Sequence, residues 1–347
     1  MPSAIVPARS EAAFRPTGHR VPLVRVRRAE CGATSWSLEP LHGRRGTPEA
    51  LWCPYAARAE GTTLGATVDL TDVLAAWRHA AGDPRGSSRT RAARRVVAPE
   101  VTRWSLSPRD ELFAGGGAWP HGLALAEAML RDGAAVALTT RAGLMEAEGL
   151  VGLAERFGPS LGVRIGVFGA SAEVEARWEP GLRPRSERLA LAERLVAAGA
   201  EVEIELGPVV PFVSDDGRHW QATLRAAARA GVSRVIPRFL AGDWALVHRL
   251  ERGLSPAEGR MVMGWLGLGR GPHAVGAPAE RRGYGLSASA RETRIARLQA
   301  SLGPLPLTLS GCGCVIGGSR AQSCVTPSSC LVHQGRQGEL FGARKGG

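Results

Sequence analysis

Val136-Ala137-Leu138-Thr139-Thr140 and Val163-Arg164-Ile165-Gly166-Val167-Phe168 are short apolar runs rich in β-branched residues. Between them, Glu146 to Phe157 carries apolar residues at helical spacing. Together they predict a βαβ unit. Downstream, Ser186 to Gly199 offers a capping Ser, an apolar stripe through Leu189, Ala192, Leu195 and Val196, and a Gly stop. A strand over Val202 to Leu206 follows at once. The unit then repeats, with a helix from Gln221 to Ala230, an end at Gly231, a strand from Arg234 to Phe239 and a helix from Trp244 to Leu250. Serial βα units demand a parallel sheet covered by helices, because parallel strands are joined only by long crossovers. The pattern predicts an α/β fold, a complete or partial (β/α) barrel, with a doubly wound open sheet as the alternative. Chemistry in such barrels sits at the C-terminal ends of the strands. Thr139, Thr140, Arg141, Gly169, Pro208 and Arg238 therefore fall near the expected mouth.

Several short motifs occur in a telling order: Leu138-Thr139-Thr140-Arg141-Ala142, Trp178-Glu179-Pro180, Arg188-Leu189, Ala197-Ala198-Gly199, and Gly207-Pro208-Val209-Val210-Pro211 ahead of Asp215-Asp216. In this the chain resembles the radical S-adenosylmethionine (radical SAM) proteins of the spore photoproduct lyase and DNA repair photolyase-like group. The resemblance implies a partial (β/α)6 TIM-like barrel with irregular N-terminal and Cys-containing C-terminal extensions. It also implies a [4Fe-4S] cluster, S-adenosylmethionine and a 5'-deoxyadenosyl radical. Thr140, Arg141, Glu179 and Arg188 match positions at the cofactor end of that barrel. Glu179 and Arg188 there either hold the ribose or amino-acid part of S-adenosylmethionine or pair with each other to brace the loop. Arg141 replaces the group's Lys, keeping the charge but not the ready proton loss.

The cluster motif departs from the group. Three thiolates in a Cys-x3-Cys-x2-Cys loop hold three irons and leave the fourth for S-adenosylmethionine. The corresponding region here, from Leu38-Glu39-Pro40-Leu41-His42-Gly43 to Trp52-Cys53-Pro54-Tyr55-Ala56-Ala57-Arg58, keeps only Cys53. Arg44, Arg45 and Thr47 stand near the missing positions, and neither guanidinium nor hydroxyl replaces thiolate at iron. The chain's other cysteines are Cys31 and the set Cys312, Cys314, Cys324 and Cys330 in a Gly/Ser-rich tail. Four thiols in one short segment suit zinc or an iron-sulfur cluster. Their spacing matches no standard ligand run, and reduced cysteines without a ligand, or a disulfide formed on oxidation, are the plainer reading. Cys31 or Cys53 meeting the tail in space is a further route to a metal site.

Composition bounds the remainder. With 347 residues, 44% of them hydrophobic, the chain is long enough for one large core. It divides into a basic segment over 1–30, a barrel over 31–270 with an Arg-rich insertion at about 82–98, and a C-terminal helix and tail over 271–347. No apolar run approaches the roughly 20 residues of a membrane span, and the start lacks a signal-like pattern, so a soluble, cytoplasmic protein with reduced thiols is expected.

The net charge is +12, and Lys345 is the sole lysine. Arg20, Arg25, Arg27 and Arg28, then Arg85, Arg89, Arg91, Arg94 and Arg95, cluster where acids are few, which suits phosphate-backbone contacts with DNA. A solvated linker is the competing reading of Gly82 to Arg91. Near the end, Gln337-Gly338-Glu339-Leu340-Phe341 is similar to the short peptide by which repair proteins dock on the DNA polymerase III sliding clamp. Gln337, Leu340 and Phe341 would make that contact.

Other features carry less. Gly115-Gly116-Gly117 lacks the Lys-Ser/Thr of a phosphate loop. His42, His121, His219 and His248 show no ligand spacing. Trp178, Trp220, Trp244 and Trp265 could stack bases, but tryptophans of helices packed on a sheet belong more often to the core. The sequence thus leads to a radical SAM-like protein of DNA repair or DNA metabolism with altered or lost cluster chemistry. A non-catalytic DNA- or clamp-associated accessory protein, or a zinc protein using the tail cysteines, are the alternatives.

Overall fold

The structure, a computed structural model, describes residues 24–28, 34–38, 50–52, 69–81, 103–106, 113, 122–242, 244–265, 284–286 and 288–309. All six cysteines, the Arg-rich segment at 82–98, and Gln337, Leu340 and Phe341 lie outside them. So do Ser107 and Asp110.

Six strands run parallel in chain order: β2 (Thr34–Leu38), β3 (Trp104–Leu106), β4 (Val136–Thr140), β5 (Leu161–Val167), β6 (Glu201–Val209) and β7 (Arg234–Phe239). An antiparallel β1 (Val24–Arg28) flanks β2, and the two-residue β10 (Thr308–Leu309) runs parallel beside β7. β8 (Ala241–Gly242) and β9 (Tyr284–Gly285) form a separate antiparallel pair. Helices α1 (Leu70–Ala80), α2 (Gly122–Arg131), α3 (Glu148–Phe157), α4 (Ala172–Trp178), α5 (Arg185–Ala197), α6 (Gly217–Arg229), α7 (Trp244–Gly253), α8 (Pro256–Trp265) and α9 (Ala288–Leu302) complete the described elements.

Strand order separates the two architectures left open by the sequence. A doubly wound sheet reverses its order at a switch point, which sends helices to both faces. Here each parallel strand lies beside its predecessor, so right-handed crossovers put successive helices on one side and curl the sheet. The result is a partial (β/α) barrel whose edge strands, among those described, are β1 and β10.

Alternation along the strands divides the sheet into two faces. Val136, Leu138, Val163, Ile165, Val202, Ile204, Leu206 and Val235 join one buried cluster with Leu150 and Leu153 of α3, Leu191 and Leu195 of α5, and Leu224 of α6. Each such aliphatic side chain contributes about 1.5–3 kcal/mol through burial. The helix ends follow the sequence: Gly199 and Gly231 take positive φ values of 91° and 76° just past α5 and α6.

Two local expectations are corrected. Ser186 does not cap α5, because Pro184 occupies that position and its carbonyl accepts from the Glu187 and Arg188 amides. A proline has no amide to leave unsatisfied at a helix start, so the helix begins one residue before Ser186. The strand expected over Val202 to Leu206 runs on to Val209, with an irregularity between Leu206 and Val209 that lets it follow β7 to Phe239.

Candidate functional site

The second face of the sheet is ionic. β5, β6 and β7 bring Arg164, Glu203 and Arg234 into one row, with Arg164 Nη2 at 3.0 Å from Glu203 Oε2 and Arg234 Nη1 at 3.6 Å from Glu203 Oε1. Two residues further along β6, Glu205 Oε1 lies 2.9 Å from Arg238 Nη1 and 3.5 Å from Arg141 Nη2. Arg141 follows the last residue of β4, and its Nη2 also donates to the Gly207 carbonyl at 3.0 Å.

Glu179 joins this row to the covering helices. It follows α4 and takes Arg141 Nη1 on Oε1 at 2.8 Å. Trp52 Nε1 donates to the same oxygen at 2.9 Å, and the Arg141 guanidinium lies 4.4 Å from the centre of a Trp52 ring. The other oxygen, Oε2, forms an ion pair with Arg188 Nη1 at 2.7 Å. Arg188, in the first turn of α5, also donates to the Gly166 carbonyl at 3.1 Å and to the Arg183 carbonyl at 2.6 Å. Its Nη2 lies 3.7 Å from Glu175 Oε1, and neither of those two atoms has a hydrogen-bond partner. The side chains of Glu179 and Arg188 are fully buried.

Burial and pairing compete across these groups. Burial pulls the Arg141 guanidinium below its ordinary value, against the carboxylate of Glu179. Burial pushes the Glu205 carboxyl up, but Arg238, Arg141 and Arg164 together outweigh it and hold that group low. At Glu175 burial wins over Arg188, and the carboxyl is raised. Gly166 makes the crossing possible: a Cβ there would stand 2.7 Å from the Arg141 guanidinium carbon. The glycine, which occupies a position where the resembling group carries a polar residue, is the space through which Arg141 reaches Glu179.

The residues singled out in the sequence are thus brought together in part. Arg141, Glu179 and Arg188 form one connected set, and Thr140 Oγ1, also buried, accepts from the Ala142 amide in the adjacent loop. Arg238 joins through Glu205. Trp52 and Glu205 are members that sequence reasoning missed. Glu205 looked like an exposed position in an alternating strand, and Trp52 gave no signal beyond its place next to Cys53. Among the tryptophans, Trp178 and Trp220 are core residues, whereas Trp265 is 39% exposed.

The donor chemistry was tested against the groups that the resemblance implies. The segment after β2 supplies one thiol, Cys53, where a cluster open to S-adenosylmethionine takes three. Among the described residues no three His, Cys, Asp or Glu are grouped to hold a metal ion. Both Glu179 oxygens are engaged by Trp52, Arg141 and Arg188. A ligand could contact this carboxylate only by displacing one of them. The residues present therefore do not fit the usual cluster and cofactor site.

No family model matches the chain, and no curated protein sequence does. Solved structures do. A spore photoproduct lyase variant with bound S-adenosylmethionine and dinucleoside spore photoproduct superposes with a TM-score of 0.57 at 14% identity, over 82% of this chain and 78% of that one. A second variant with dinucleoside spore photoproduct gives 0.55 at 15% identity, over 86% and 88% of the two chains. The chain has the fold of spore photoproduct lyase. The likeness to the radical SAM spore photoproduct lyase group, read from short motifs, is borne out at the level of the fold, and the partial barrel with it. Among the described residues no helix is long and apolar enough to cross a membrane.

Proposed function

We propose that this chain acts on nucleic acid, in DNA repair or DNA metabolism, on a spore photoproduct lyase fold whose [4Fe-4S] and S-adenosylmethionine chemistry is lost or altered. The observation that carries this reading is the engagement of Glu179, fully buried, by Arg141, Arg188 and Trp52. Side chains that would otherwise face a cofactor are joined to one another. The nucleic-acid half of the reading is supported by the fold shared with a protein solved in complex with dinucleoside spore photoproduct, and by the net charge of +12. Docking on a sliding clamp through Gln337, Leu340 and Phe341 belongs to the same reading.

Iron, zinc and acid-labile sulfide in protein purified without oxygen test the chemistry, with 5'-deoxyadenosine formation from S-adenosylmethionine measured alongside. The expected result is no iron and no cleavage, together with DNA binding that weakens steeply as salt rises. Near-stoichiometric iron and sulfide that disappear in Cys53→Ala would overturn the loss of chemistry. Zinc without iron, lost when Cys312, Cys314, Cys324 and Cys330 are replaced, would assign the tail as a zinc site.

A further inference from the structure

The loop between β6 and α6 holds Phe212 at a φ of 62°, in the left-handed region that a bulky L-residue occupies only at a cost. The surrounding contacts fix it there. The Phe212 amide donates to Asp215 Oδ1 at 2.6 Å. Ser214 Oγ accepts from the Val210 amide at 2.8 Å and donates to the Pro208 carbonyl at 2.7 Å. Asp215 Oδ2 in turn accepts from Arg294 Nε of α9 at 3.0 Å. Arg294 is 5% exposed and lies 5.0 Å from the Trp265 ring, at the end of α8. Trp265 closes the circuit by packing on Phe212, with ring centres 5.6 Å apart and planes tilted by 55°.

This support ends in two exposed rings. Phe212 is 65% exposed and Trp265 is 39% exposed, although the loop is pinned by a buried serine, a buried ion pair and a positive-φ backbone. Burial alone would favour a turned-in Phe212, and turn geometry alone would favour Gly or Asn. Strain held by several contacts under an exposed aromatic is the signature of a surface shaped for a ligand. The loop leaves the C-terminal end of β6, the end of the sheet at which Arg141 and Glu179 also lie.

We propose that Phe212 and Trp265 form a platform on which an unpaired base of single-stranded nucleic acid stacks. The inference rests on the nucleic-acid reading above and names the part of the surface that would take the base. Charge complementarity selects this occupant: the chain carries +12, Arg294 stands behind Trp265, and Arg218, 90% exposed, begins the helix that follows the loop. Base stacking on aromatic rings tolerates any sequence, since every base offers a π-face.

The test uses the full chain, a short labelled oligothymidylate, and the same strand with abasic sites. Phe212→Gly relieves the positive φ while removing the ring. Its affinity for oligothymidylate is expected to fall roughly 5- to 100-fold, as does that of Trp265→Leu. The melting temperature of Phe212→Gly should hold or rise, and the abasic strand should bind wild type and variant alike. If wild type binds DNA and neither variant loses affinity, the platform is refuted while the nucleic-acid reading stands. If wild type binds no oligonucleotide even at low salt, the nucleic-acid reading falls first and takes the platform with it. A dimer that dissociates in Phe212→Gly would give the rings to a second copy of the chain and overturn the proposal.

Discussion

Glu179 and Phe212 stand in loops of the same barrel, and each sits where its chemistry alone would not put it. The carboxylate is wholly buried, and the aromatic ring is 65% exposed. Glu179 tolerates burial because two guanidinium groups and an indole N–H surround it, offsetting a desolvation cost that no single partner would cover. Phe212 tolerates exposure and a strained backbone because Asp215 and Ser214 fix the loop independently of the ring. The inside of the barrel is thus a closed set of mutual dependencies, whereas the rim is a supported surface with one side left open. A substitution inside leaves a partner stranded, while one on the rim removes only what the ring itself contacts.

The comparison is tested hardest at its centre. Glu179→Ala leaves Arg141 and Arg188 facing each other without a carboxylate, and is expected to destabilise the fold by about 3–5 kcal/mol in urea titration. A loss below ~1 kcal/mol, the level of an exposed pair, would show that the interior is not closed. Gly166→Ala probes the same crossing by overpacking: its new methyl meets the Arg141 guanidinium, and a loss of about 1–3 kcal/mol on thermal unfolding is expected. Unchanged stability would mean that Arg141 has an easy alternative path.

The smallest effect lies on the rim, at the cap of α6. Arg218, through its side chain first and its amide second, holds the Asp216 carboxyl at about 2. The folded value is thus depressed below the unfolded one of about 3.9, so this contribution is present above roughly pH 4 and is lost as pH falls toward 2. Asp216→Asn keeps a capping oxygen but does not titrate there. Its acid-unfolding curve should be shallower than that of wild type between those limits, by a small margin because the group is exposed.

Local pattern carried the fold a long way. The strand over Arg234 to Phe239 coincides with β7, and the helix ends at Gly199 and Gly231 follow from residues that accept a positive φ. The ionic interior was legible only in pieces. Glu201-Val202-Glu203-Ile204-Glu205-Leu206 alternates as a half-exposed strand would, yet Glu203 and Glu205 are 1% and 2% exposed. Alternation reports two chemically different faces, and it does not say whether the polar one meets water or arginines from neighbouring strands.

Distance in sequence hid the rest. Trp52 and Glu179 are 127 residues apart, and Asp215 and Arg294 are 79 apart. No local rule links either pair. The Pro208 to Asp216 run pointed to the right loop through its resemblance, but the exposure of Phe212 depends on backbone geometry that composition does not reveal.

The near-absence of lysine has a consequence for the barrel interior that concerns proton inventory. A guanidinium does not give up its proton within a protein, so Arg141, Arg164, Arg188, Arg234 and Arg238 form a scaffold of fixed charge. Such an interior can orient dipoles and hold carboxylates in place without changing its own state across the pH range of a cell. The carboxyls respond unequally to that field. Arginines keep Glu205 from taking a proton, whereas burial moves Glu175, beside Arg188, toward accepting one. Acidification would therefore enter this part of the barrel from the helix side at Glu175, leaving the charge layer along β6 in place.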